Sequence, residues 1–152
     1  MAHAACPGLD EGPAAGARLT RSLGVAIQLS TQAPRLYPFF VDISGQIEPA
    51  LGSRQLTISR AFGRDAAAFA RVDPVVVLAR TRFPGSAGVF AGGGNDRVYT
   101  PQQRIMYLAA RHAGMKVTSV DFPGGHGWRV WRGGLEHDVA WLASRLGITE
   151  RA

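Results

Sequence analysis

The stretch AGVFAGGGNDRVYTPQQRIMYLAARHAGMKVTSVDFPGGH, residues 87–126, decides the fold. Its first seven residues, AGVFAGG (87–93), are small and apolar, as expected of a buried strand packed closely under helices. Thr100-Pro101 is a helix start signal, a capping residue ahead of a proline. The helix it opens carries Ile105, Leu108 and Ala109 on one face and stops at Gly114. KVTSVDF (116–122) reads as the next strand. Strand, helix and strand with short connections imply an α/β architecture with a parallel sheet.

Upstream, FFVDIS (39–44), closed by Gly45, reads as an earlier buried strand. A helical pattern from Leu19 places Leu23, Ile27 and Ser30 on one face and ends before Pro34. Between Gln46 and Phe83 the spacing predicts a helix over 53–62, Ala-rich turns at 65–71, and a helix opened by Asp73-Pro74. The last helix is expected to bury Trp131, Leu135, Val139, Leu142 and Leu146, with Gly147 as its stop. Residues 1–18, rich in Ala, Gly and Pro, are expected to be poorly ordered, leaving 19–150 as the folded unit. Three strands form a small sheet. The first would expose an open edge through which the chain could self-associate, unless something upstream pairs with it.

Composition narrows the function classes. The 152 residues suit one domain, and a formal charge of +6 with 46% hydrophobic residues describes a globular body. Of the 17 basic residues only Lys116 is a lysine, and the arginines are scattered. Nucleic-acid binding would show a clustered stripe with interleaved aromatics, so no nucleic-acid partner is expected. No apolar run is long enough to span a membrane and the N-terminus lacks a signal-peptide pattern. The lone Cys6 has no internal disulfide partner. No metal or cofactor is expected either. HxxxH and Cys/His clusters are absent, and the Gly-rich run at 92–94 lacks both GK[ST] and GxGxxG.

Chemistry gathers on the loops beyond the C-terminal ends of parallel strands. GGGND (92–96) follows one strand and ends in Asp96, and PGGH (123–126) follows the next and ends in His126. Adjacent parallel strands would bring these loops together. An aspartate bonded to the imidazole would fix its tautomer and stabilise the imidazolium. Separately, Asp96 could simply cap the following helix, and His126 could pack beneath Trp128. The other histidines are weaker candidates: His112 at a helix end, His137 beside Asp138 on a solvated face, and His3 in the N-terminal segment.

The run G-x-H-x-W-x-x-W-x-x-x-L, from Gly124 to Leu135, resembles the C-terminal histidine motif of the esterase D and antigen 85 (mycolyltransferase-like) branch of the α/β-hydrolases. GGGND and FVDISGQIEP (40–49) are similar to that branch as well, and the likeness looks closest to actinobacterial esterases. The resemblance implies Asp96 as triad acid and His126 as general base. The implied activity is hydrolysis or acyl transfer on a small-molecule or lipid carboxylic ester, through a serine acyl-enzyme.

That chemistry needs a nucleophile on a G-x-S-x-G elbow. By the resemblance the serine position falls near Thr20, with Arg18 and Ser22 where the glycines belong. Ser22-Leu23-Gly24 preserves only S-x-G and follows no apolar strand, so the nucleophile is unidentified, with Ser22 the weak candidate. Ser30 and Ser44 read as structural. The expectation is a C-terminal part of an α/β-hydrolase, about three strands with flanking helices. It would keep the acid and base without the elbow, and be inactive or nearly so alone. Its first 20 or so residues would derive from a shifted frame or a misplaced start. The alternative is a non-catalytic α/β interaction module.

Overall fold

A computed structural model describes residues 25–148 of the chain. The segment 1–18, His3, Cys6, Thr20 and Ser22 lie outside the described residues, as does the first part of the helix expected from Leu19. The described elements run α1 (Val25–Gln32), β1 (Phe39–Ile43), α2 (Arg54–Ala61), α3 (Ala66–Val72), α4 (Pro74–Arg80), β2 (Ala87–Gly93), α5 (Tyr99–His112), β3 (Lys116–Phe122) and α6 (Trp128–Arg145). All three strands are parallel and lie in the order β1-β2-β3. The expected α/β sheet is present; β2 and β3 match the ranges read from the sequence, and β1 ends at Ile43, one residue before the expected Ser44.

Local chemistry explains the helix starts. Ser53 accepts from the Leu56 amide, and Asp73 accepts from the Val75 amide with Pro74 following in the first turn. The stretch expected as Ala-rich turns is instead α3. Asp65 accepts hydrogen bonds from the amides of Ala67 and Ala68, and three alanines propagate the turn it starts.

β2 is central and buried along its whole length. Adjacent strand residues point to opposite faces, and the helices divide accordingly. On one face the Phe90 ring meets Phe40 edge-on at 5.4 Å and Tyr107 of α5 at 6.3 Å. Ile27 of α1, Leu78 of α4 and Met106 of α5 complete that core. α6 covers the other face, where a Cβ at Gly134 would lie 3.2 Å from the Ala91 and Ile43 side chains.

That close approach overturns the expected buried stripe of α6. Val130, Gly134 and Asp138 face the sheet, whereas Leu135 (57% exposed), Val139 and Leu146 face outward. A helix lies closest to a sheet along its smallest side chains, and Gly134 selects this register. α5 shows a similar shift. Gln103, Met106 and Ala110 are buried, while Ile105 and Leu108 are exposed.

Candidate functional site

β2 and β3 end side by side, and the pairing of their backbones continues into the loops that follow. The Gly94 amide donates to the Phe122 carbonyl and the Asn95 amide to the Gly124 carbonyl, each at 2.9 Å. Gly93 makes this contact feasible, because a Cβ there would sit 2.6 Å from the carbonyl oxygens of both Gly124 and Gly125. Gly92 in turn leaves room for Gln103, whose amide donates to the Asp42 and Ala91 carbonyls at 3.0 and 2.7 Å. The glycine run therefore serves close packing of loop against loop and helix against sheet.

The result is a contact between the two residues singled out by position. Asp96 Oδ2 lies 3.0 Å from His126 Nδ1. Asp96 Oδ1 accepts from the amides of Val98 and Tyr99 at 3.0 and 2.9 Å. One carboxylate thus holds the start of α5 with one oxygen and faces the imidazole with the other. The capping and pairing readings of Asp96 are both realised in it. Thr100, expected as the cap, lies one residue into the helix and donates its hydroxyl to the Gly93 carbonyl at 2.7 Å. Val98 occupies the cap position without a side-chain hydrogen bond, so the capping work falls to Asp96.

The Asp96 side chain is 4% exposed. Desolvation, the largest single influence, pushes its carboxyl up. The amides of Tyr99 and Val98, the His126 hydrogen bond and the charge interaction with His126 together outweigh it and leave the carboxyl below its ordinary value. An ionised carboxylate only accepts, so Nδ1 of a neutral His126 carries the ring proton and Nε2 keeps its lone pair. Rings hold the imidazole on two sides. Tyr99 stacks on it at 4.1 Å and 27°, and Trp131 meets it edge-on at 5.2 Å. Trp128, expected to cover the histidine, is 71% exposed. His126, its side chain 28% exposed, lines an open cavity of about 320 Å³ formed by residues 124–130.

The remaining candidates lie elsewhere. Ser30 is buried in α1, and Ser44, just beyond β1, is buried with a positive φ of 52°. His112 ends α5 and its carbonyl accepts from Arg82. His137, expected to be solvated, is exposed, and its Nδ1 lies 2.7 Å from Oδ1 of the buried Asp138. Among the described residues, no three His, Cys, Asp or Glu side chains are grouped to hold a metal, and no helix is long and apolar enough to cross a membrane.

The sequence reading missed three contributors. Tyr99 follows Asp96 by three residues, the spacing at which a capping carboxylate meets an amide, and that spacing was its only signal. Gln103 carried no signal, since a glutamine on a helix is ordinarily a surface residue. Asp42, inside a strand, is fully buried, and one of its carboxylate oxygens has no partner. Burial pushes its carboxyl up to about 7, against the pull of the Gly45 amide.

The parallel sheet with helices on both faces is an α/β fold, and a solved structure shares it. A solved ferulic acid esterase matches with a TM-score of 0.58 over 79% of this chain and 47% of its own length, at 15% identity. In sequence, the chain is 36% identical over 129 residues to an uncharacterized protein of Corynebacterium glutamicum. That alignment takes in 81% of this chain, which spans 30% of the relative's length. No family model matches the chain.

Proposed function

We propose that Asp96 and His126 are the acid and base of a carboxylic-ester hydrolase or acyltransferase site of the esterase D and antigen 85 kind. The observation that carries this reading is the 3.0 Å contact between Asp96 Oδ2 and His126 Nδ1, with the other carboxylate oxygen tied to two amides. In this chemistry Nε2 takes the proton of a hydroxyl as its oxygen adds to the ester carbonyl, then passes it to the departing alcohol. Water repeats the sequence to release the acid, or a second alcohol accepts the acyl group. Asp96 stays ionised throughout and stabilises the transient imidazolium. The open cavity beside His126 supplies room for the ester.

No nucleophile is assigned. Ser30 and Ser44 are both buried, and Ser22 lies outside the described residues. Turnover of p-nitrophenyl butyrate by the purified chain is therefore expected to be slow, and to fall in His126→Ala to a residual rate still above buffer. A measurable rate that His126→Ala leaves unchanged contradicts the proposal. A second reading, a non-catalytic interaction module, is favoured by one observation: among the described residues β1 is paired on one side only. It predicts no turnover at all and a larger species on size exclusion.

A further inference from the structure

We propose that Tyr99 is the positioning residue of the Asp96–His126 pair, holding the acid through its backbone and the base through its ring. This rests on the reading of that pair as a working acid and base.

The Tyr99 amide donates to Asp96 Oδ1 at 2.9 Å, and its phenol ring lies on the His126 imidazole at 4.1 Å and 27°. A single hydrogen bond at Nδ1 leaves an imidazole free to swing about that contact. A ring stacked on its face removes this freedom, and Trp131, edge-on at 5.2 Å, limits it further. Because Tyr99 opens α5, its position is set by the same turn that Asp96 caps. Acid, base and clamp are therefore built on one short segment plus one loop. Nε2 is directed away from Asp96 by the geometry of the ring, and the clamp keeps that direction constant.

The two halves of the role separate cleanly by substitution. Any residue but proline at 99 keeps the amide, so Tyr99→Leu removes only the stack and Tyr99→Phe keeps it. The readout is exchange of the His126 Nδ1 proton with water, followed by NMR on the purified chain, with Asp96→Asn as reference. The expected result is a protected Nδ1 proton in wild type and in Tyr99→Phe, with exchange roughly threefold to tenfold faster in Tyr99→Leu, the range a stacked ring pair supports. Amide shifts away from the loop should stay unchanged. Exchange in Tyr99→Leu equal to wild type overturns the positioning role and leaves the pair standing. An unprotected proton in wild type, indistinguishable from Asp96→Asn, overturns the pair itself and the positioning role with it.

Discussion

Asp96 and His126, 30 residues apart in the chain, meet at 3.0 Å because two neighbouring parallel strands end at the same level. The contact is assembled by backbone: Gly94 and Asn95 bond across to the carbonyls of Phe122 and Gly124, and the side chains only complete it. Three expectations test how much depends on it, and a fourth concerns the buried Asp42.

Asp96 has a structural duty apart from any chemistry. Asp96→Ala leaves the amides of Val98 and Tyr99 without their acceptor, and the expected loss is about 1 to 2 kcal/mol in urea unfolding. Asp96→Asn keeps an acceptor oxygen and should lose only a fraction of that. Equal losses would show that the histidine contact, rather than the cap, carries the stability. The carboxyl is held below its ordinary value, so its contribution is present above the unfolded carboxylate range and disappears as the pH falls through the folded value.

Gly93 should tolerate no side chain. In Gly93→Ala the new methyl would meet two backbone oxygens at 2.6 Å, and backbone cannot yield as a flexible side chain does. The expected cost is about 1 to 3 kcal/mol, with loss of the protected His126 Nδ1 proton in the same variant. A stable Gly93→Ala with that proton intact would mean the loops are not held together by this approach.

Asp42 predicts a pH dependence of the opposite sign to Asp96. Its folded pKa, about 7, lies above the ordinary 3.8, so the folded state holds the proton more tightly. Stability on this account is greatest in acid and declines as the pH rises toward the folded value, by about 4 kcal/mol at most. Asp42→Asn removes the group, so its stability relative to wild type should climb from the ordinary 3.8 up to about pH 7 and level off above it. Urea midpoints measured across that range check it, and parallel profiles would refute it.

How much of this was legible in the sequence depended on what each residue type reveals. The strands 87–93 and 116–122 announced themselves by composition and by the turn signals bounding them, and position alone singled out Asp96 and His126. The packing face of α6 did not. Periodicity counts large side chains, and Trp131, Leu135, Val139, Leu142 and Leu146 made a convincing stripe. The sheet instead took Gly134, whose missing side chain lets the helix reach Ala91 and Ile43. α3 was hidden because Gly63 and Arg64, both at positive φ, break the chain just before Asp65 restarts a helix. The Tyr99 stack could not be read at all, since a ring's partner depends on tertiary geometry.

The most direct test of the central claim is a double-mutant cycle on p-nitrophenyl butyrate turnover, with Asp96→Asn, His126→Ala and the double variant assayed together. If Asp96 acts through His126, each single replacement lowers the rate, and the double variant is no slower than His126→Ala alone. A double variant slowed by the product of the two single effects would show two independent residues and contradict the paired acid and base.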